Sequence, residues 1–144
     1  MDREQIIDRL ARYCEKLDEY DIAAVAACIA NDATTDYGPG RGGVVAGRAL
    51  IAQRIASAQA AFRRTHHQLG QIRVSIAGDT AESLSYVTAW HERKSGEREI
   101  LCLRYIDSLR RDDAQWLIHA RRVEVSWVDG FPGVTWRWVT RQNP

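Results

Sequence analysis

A small set of polar residues stands where the sequence pattern predicts a protein interior: Asp18 ends the first predicted helix, and His67 and His91 lie on predicted strands. A carboxylate that accepts a hydrogen bond from one ring nitrogen of a histidine orients the ring and stabilises the imidazolium, which makes the histidine a better base. Hydroxyl groups, such as those of Tyr13 and Tyr37, can donate to an oxygen that gains negative charge. These residue types predict a general base together with hydroxyl donors for an oxygen that gains negative charge.

Each of these residues also has an alternative role that involves no chemistry. Asp18 stands where it could cap the second helix, and either histidine could be an ordinary strand residue. His66 is expected to be a bystander, because neighbouring residues on a strand point to opposite faces. Separately, Arg121 and Arg122 are candidates for anchoring a carboxylate on the substrate.

Three helices are predicted in the first half of the chain. Apolar residues recur at three- and four-residue steps over 2–20, which predicts the first helix. Asp21 is expected to cap a second helix that ends near Asn31-Asp32. A third helix is predicted over 47–62, and its buried stripe consists of Leu50, Ile51, Ile55, Ala58 and Phe62.

The second half of the chain has the alternating pattern of strands. A glycine-rich segment, 38–43, precedes the third helix and is expected to form a mobile loop without regular structure. After Thr65, strands and short turns follow one another, which predicts an antiparallel meander. Helices first and strands afterwards favour an α+β fold, in which a curved sheet closes over three N-terminal helices like a cone.

In the first long strand, the alternating pattern places the candidate base and the later apolar residues on opposite faces. Ile72 and the apolar residues that follow it share a strand side with His66, whereas the predicted chemistry needs His67 inside. A β-bulge near Gly70 would bring His67 and Ile72 to the same face.

Composition excludes several classes of function. The chain has 144 residues and a formal net charge of +1, so it has no field that would attract nucleic acid. The charged N-terminus and the absence of a long apolar run predict a cytoplasmic protein that is not inserted in a membrane. The 3 cysteines lack metal-ligand spacing, and neither a metal nor another cofactor is expected.

Several short motifs together resemble the SnoaL-like group of the nuclear-transport-factor-2-like superfamily. They are Tyr13 with Asp18, Asp32-Ala33, Gly47, Thr65-His66-His67, Gly78-Asp79-Thr80-Ala81 and Trp116. The resemblance covers nearly the whole chain and implies one domain over 1–144, with a cystatin-like α+β barrel around an apolar pocket.

Within this group the spacing is most similar to that of the scytalone dehydratases. The resemblance implies catalytic roles for Asp18, His67 and His91 and substrate-binding roles for Tyr13, Tyr37 and Tyr105. Leu17 replaces a tyrosine of those enzymes, and Tyr105 falls near one of their asparagines. Tyr13 instead matches a tyrosine of the bile-acid dehydratases, so the chemistry can be shared while the substrate differs.

The function expected from these residues is that of a cofactor-independent lyase. It would take a proton next to a carbonyl of a small apolar cyclic compound and expel water or a similar leaving group. One alternative is an isomerase or polyketide cyclase with the same dyad. Another is a non-catalytic ligand-binding or structural subunit, like the small subunits of aromatic-ring dioxygenases.

The C-terminal end is rich in tryptophan, with Trp127, Trp136 and Trp138 close together in the sequence. Such aromatic density is expected to cover a pocket or to contact another subunit. A homo-oligomer is therefore predicted, and the family resemblance implies a dimer or a trimer.

Overall fold

The computed structural model describes residues 1–143, which form three α-helices and six β-strands. In chain order these are α1 (Asp2–Asp18), α2 (Ile22–Ala26), β1 (Ile29–Asp36), β2 (Val44–Ala46), α3 (Arg48–Gln59), β3 (Phe62–Ala77), β4 (Thr80–Arg93), β5 (Arg98–Asp112) and β6 (Gln115–Asp129).

All six strands belong to one curved sheet in the order β2-β1-β6-β5-β4-β3. Neighbours are antiparallel except β1 and β6, which run parallel. The predicted α+β cone with three helices and a meander of long strands is confirmed. The sheet remains open: β2 and β3 form its two edges in residues 1–143, rather than pairing to close the barrel that the resemblance implied.

The inner face of the sheet packs against the helices. Along β4 and β5, buried residues such as Val87, Ala89 and Leu103 alternate with more exposed ones. Helix α1 packs mainly on β3, and its apolar stripe of Ile6, Leu10 and Leu17 is buried there. The core thus lies between the helices and the concave side of the sheet.

A bulge in β3 confirms the one predicted near Gly70. Leu69 pairs with Val87 but Ile72 pairs with Ser85, so β3 contains one more residue than β4 between these pairs. The extra residue reverses the alternation, and His67 and Ile72 therefore face the same side of the sheet.

The predicted extent of the second helix is wrong. Its N-terminus is as expected, since the Asp21 carboxylate accepts a hydrogen bond from the Ala24 amide at 3.1 Å. The helix nevertheless ends at Ala26, and Ile29 begins a strand that pairs with Ile118 of β6. Pairing with a distant strand here overrides the helix propensity of an alanine-rich segment.

The boundaries of the third helix also differ from the prediction. It ends at Gln59, and Phe62 is the first residue of β3. Leu50 is 48% exposed and is not part of the buried stripe. Ala58 is also exposed, whereas Ile51 and Ile55 are buried as expected, since α3 packs on β1 and α2.

The glycine-rich segment contains regular structure, contrary to expectation. Pro39–Arg41 form a turn of 3-10 helix. The C-terminal tail holds this turn, because the Gly40 amide donates to the Thr135 carbonyl at 3.1 Å. A Cβ on residue 40 would lie only 2.3 Å from that oxygen, so this close approach requires glycine.

No helix within residues 1–143 is long and apolar enough to cross a membrane.

Candidate active site

A cavity of about 670 Å³ lies between the helices and the inner face of the sheet. Its volume is within the range of small-molecule sites, about 300–1,000 Å³. Most of its wall is apolar and includes Leu17, Val45, Ile51, Ile55, Ala89, Leu101, Leu103, Val123, Val125 and Trp136. Five predicted site residues also line it: Tyr13, Tyr37, His67, His91 and Tyr105.

Asp18 and His67 form a hydrogen-bonded pair at the edge of this cavity. The His67 Nδ1 atom lies 2.6 Å from the Asp18 Oδ1 atom. The His67 side chain is only 5% exposed, whereas that of Asp18 is 23% exposed. Asp18 does not line the cavity itself; it lies behind the imidazole at the C-terminal end of α1, while β3 supplies the histidine.

Two more hydrogen bonds fix the Asp18 carboxylate. The Thr65 hydroxyl donates to Oδ1 at 2.8 Å, and the His67 backbone amide donates to Oδ2 at 2.9 Å. Burial by itself raises the pKa of Asp18, but the hydrogen bonds from His67 and Thr65 outweigh burial and lower the pKa below its usual value.

The ionised carboxylate determines which imidazole nitrogen can act as a base. An ionised carboxylate only accepts hydrogen bonds, so the proton of His67 must reside on Nδ1. The other nitrogen, Nε2, then has a free lone pair, and this is the atom able to take a proton from a bound molecule.

His91 lies beside this pair, and its imidazole is buried and uncharged. Its ring centre is 5.4 Å from that of His67, and its ring stacks on Phe62 at 4.2 Å. Burial lowers the pKa of His91 to about 3, with a contribution from the neighbouring His67. The imidazole is therefore neutral, and neither ring nitrogen has a hydrogen-bond partner within the described residues.

Two tyrosines form a short hydrogen-bonded pair in the cavity wall. The hydroxyl oxygens of Tyr13 and Tyr37 are 2.8 Å apart. Burial raises the pKa of Tyr13 well above its usual value, and the same holds for the neighbouring Tyr105. The Tyr13 phenol is thus protonated, and when its hydroxyl donates to Tyr37, the Tyr37 hydroxyl can direct its own hydrogen toward a bound oxygen.

Arg121 lies beneath these tyrosines, and the expectation that Arg121 or Arg122 anchors a carboxylate is wrong. Arg121 is 3% exposed, does not line the cavity, and forms two hydrogen bonds of 2.8 Å with Asp107. Its guanidinium carbon lies 3.6 Å from the ring centre of Tyr105 and 4.4 Å from that of Tyr13. Arg122 is exposed and pairs with Glu124.

Sequence reasoning missed two contributors to the site. Thr65, which orients Asp18, shares a strand side with His67 two residues away, and this alternation could have identified it. Asp107, the buried partner of Arg121, gives no comparable signal because the two residues come from different strands. Within residues 1–143 no group of three histidine, cysteine or acidic side chains is arranged to hold a metal ion.

Comparison with solved structures identifies the same fold in many proteins. A protein of Novosphingobium aromaticivorans DSM 12444, provisionally named a scytalone dehydratase, has a TM-score of 0.91 and 21% identity and covers 99% of this chain and 95% of its own. A second protein of N. aromaticivorans, provisionally named an aromatic ring hydroxylase, has a TM-score of 0.84 and 27% identity over 90% of this chain and 93% of its own.

A hexachlorocyclohexane dehydrochlorinase of type 2 is also similar, with a TM-score of 0.80 and 15% identity over 92% of this chain and 90% of its own. At such identities the similarity to the dehydrochlorinase and to the dehydratase establishes the fold alone.

No curated protein matches the sequence. The sequence profile of the SnoaL-like domain, in contrast, matches residues 1–122. This match covers α1 to α3 and most of the sheet, including the Asp18 and His67 pair. The chain therefore belongs to the SnoaL-like domain family of the nuclear-transport-factor-2-like superfamily.

Proposed function

We propose that the protein is a lyase that removes a proton next to a carbonyl and expels water from a small apolar cyclic substrate. The observation that carries the proposal is the 2.6 Å contact between Asp18 and His67, with the imidazole at the wall of an apolar cavity. Two of the similar structures have the names of enzymes that eliminate a small molecule, a dehydratase and a dehydrochlorinase.

The first step of the proposed reaction is proton abstraction. His67 Nε2 takes the proton from the carbon next to the carbonyl, and the electrons of that bond form the double bond of an enolate. Asp18 stabilises the resulting imidazolium. One hydroxyl of the hydrogen-bonded Tyr13 and Tyr37 pair donates to the enolate oxygen, where the charge develops, while the other hydroxyl donates to its tyrosine neighbour.

The second step expels the leaving group. The enolate re-forms its carbonyl, a carbon–carbon double bond appears, and the bond to the neighbouring hydroxyl breaks. Neutral His91 donates a hydrogen bond to the departing oxygen. The proton held by His67 then converts hydroxide to water, which restores the imidazole and balances the reaction.

The proposal is tested with a panel of cyclic β-hydroxy ketones of one or two rings. Loss of the mass of water is followed by mass spectrometry, and exchange of the proton next to the carbonyl is followed by NMR in D₂O. We expect His67→Ala to slow elimination by about 10²–10⁴-fold and Asp18→Asn to slow it less. His66→Ala is the matched control, because His66 is the adjacent histidine and faces solvent.

The same assay separates the alternatives. Proton exchange and product formation without loss of mass would indicate an isomerase or cyclase. Equal rates in the wild type and His67→Ala would contradict the assignment of the base. If no member of the panel reacts and His67→Ala weakens only the binding of these compounds, the protein is a binding module and the lyase proposal fails.

We also propose that the protein self-associates through the outer face of its sheet. Tyr86 and Trp90 of β4 and Trp127 of β6 are 40%, 38% and 52% exposed on this face, with Ile100 and Cys102 of β5 between them. Such a cluster is typical of an interface between subunits.

Light scattering tests this proposal and should show that the wild type is a multimer. Trp127→Glu should dissociate the multimer, whereas Trp138→Glu, which changes a tryptophan in the tail, should not. A monomeric wild type would contradict the proposal.

A further inference from the structure

Two arginines line the cavity without a carboxylate partner. Arg41 lies on the glycine-rich segment and Arg54 on α3, and both contribute to the wall. The ion pairs of the described residues include neither of them, although the nearby Arg93 pairs with Glu99 at 3.1 Å. Positive charge therefore faces this part of the cavity, and no carboxylate of the described residues forms an ion pair with Arg41 or Arg54.

Aromatic rings, rather than a paired carboxylate, surround the Arg41 guanidinium. The guanidinium carbon lies 5.8 Å from the ring centre of Phe131 and 6.0 Å from that of Trp136. Burial lowers the pKa of Arg41; among the neighbouring charges Glu99 has the largest effect and raises the pKa, whereas Arg93 and Arg54 lower it. Burying a charge is costly unless a partner compensates for it.

A direct contact keeps the two arginines together. The Arg54 Nη2 atom donates to the Arg41 backbone carbonyl at 2.7 Å. Gly42 permits this contact, because a Cβ there would lie 2.1 Å from the same Arg54 nitrogen. Arg54 and the neighbouring Ser57 are exposed, so the cavity meets solvent between the glycine-rich segment and α3.

We infer that the substrate of this cavity has an anionic oxygen group, a carboxylate or a phosphate, that binds between Arg41 and Arg54. The inference rests on the proposed function, since it places the reacting carbonyl at His67 and the anionic group at the solvent side. Guanidinium groups pair with both kinds of anion through paired hydrogen bonds. An apolar ring between the two ends fits the aliphatic wall.

Binding of three probes tests the inference: 2-naphthoate, its neutral analogue 2-naphthamide, and 2-naphthyl phosphate. Their dissociation constants are measured by isothermal titration calorimetry at low ionic strength. We expect the wild type to bind naphthoate or naphthyl phosphate about tenfold more tightly than naphthamide. The tighter of the two anions identifies the kind of group, and added salt should reduce the preference.

Variants assign the preference to the arginines. Arg41→Gln should bring the affinities for the anion and the amide to within about twofold, whereas Arg41→Lys, which keeps the charge, should retain part of the difference. Arg73→Gln is the matched control, because Arg73 is exposed on β3 and does not line the cavity. It should leave all three affinities unchanged.

Two results would overturn the inference. One is a wild type that shows no preference for an anion, including one that binds none of the probes. The other is a preference that persists in Arg41→Gln and disappears in Tyr37→Phe, since the tyrosine pair would then be the anion site. These binding measurements need no turnover. They can therefore contradict the anion site while His67-dependent elimination is still observed, and they can support the anion site when no elimination is observed.

Discussion

At the scale of single residues, the site depends on how completely Asp18 is held. Its two oxygens accept three hydrogen bonds, from the Thr65 hydroxyl, the His67 amide and the His67 ring. The aspartate and the histidine could be selected as candidates from the sequence because of their residue types and their positions relative to the family, and the structure brings them into contact. Thr65 was overlooked because a threonine on a strand is ordinary and only its partner gives it a role.

We expect Thr65→Val to lower the turnover number for elimination about tenfold, because the carboxylate loses one of its three donors and holds the imidazole less firmly. Thr65→Ser, which keeps the hydroxyl, should retain most of the activity. Steady-state kinetics on a substrate from the β-hydroxy ketone panel measures both. Equal turnover by the two variants would show that the hydroxyl does not position Asp18.

At the scale of elements, the bulge in β3 connects the fold to the site. The hydrophobic pattern alone specified a strand but gave opposite faces for His67 and Ile72, and the conflict itself located the bulge near Gly70. The boundary between α2 and β1 could not be predicted in this way. Alanine-rich residues favour a helix locally, and the parallel pairing of Ile29 with Ile118 has no local signature.

Deleting Gln71 should remove the bulge and force a choice between the two faces. Either His67 leaves the cavity or Ile72 and Val74 turn outward, so we expect a loss of activity or a loss of at least about 2 kcal/mol in the free energy of unfolding. Kinetics and urea unfolding distinguish the two outcomes. Gln71→Ala keeps the residue count and is the control; a deletion variant that matches it in both measurements would mean that the bulge is dispensable.

At the scale of the whole molecule, one sheet and three helices enclose a large cavity, and buried polar groups lie around it. The α+β architecture was predictable because periodicity changes from helical to alternating near the middle of the chain. The buried pair of Asp107 and Arg121 was not, since on the sequence both are ordinary charged residues that β5 and β6 happen to align.

Breaking this buried pair should destabilise the whole fold. We expect Arg121→Met to lower the free energy of unfolding by about 3–5 kcal/mol, because Asp107 would remain as an uncompensated charge. The double variant Arg121→Met with Asp107→Leu should recover most of that loss. Urea unfolding of the wild type, the single variant and the double variant provides the comparison; a double variant no more stable than the single one would refute the explanation.

The stability of the protein should also depend on pH through His91. Its pKa is about 3 in the folded state, against 6.5 for an ordinary histidine. Between these values the unfolded chain binds a proton that the folded protein does not, so the free energy of unfolding falls as the pH decreases below about 6.5. The slope approaches about 1.4 kcal/mol per pH unit.

Burial raises the pKa of Glu99, so near that pKa the folded protein binds a proton that the unfolded chain does not, which opposes the effect of His91. The pH range just below 6.5 is therefore the informative one. Urea unfolding at a series of pH values measures the slope. His91→Gln should flatten it, and His66→Gln, the exposed control, should not. A slope in His91→Gln parallel to that of the wild type would assign the pH dependence to other groups.

The C-terminal tail lies outside the part of the chain that matches the family profile, which ends at residue 122. It nevertheless contributes Trp136 to the cavity wall and holds the turn at Gly40 through Thr135. The proposed catalytic groups and part of the cavity wall therefore lie in separate stretches of the sequence. Replacing the tail changes the wall at Trp136 and leaves the Asp18 and His67 pair in place, so grafting a relative's tail onto this chain is a direct way to alter which molecules the cavity accepts.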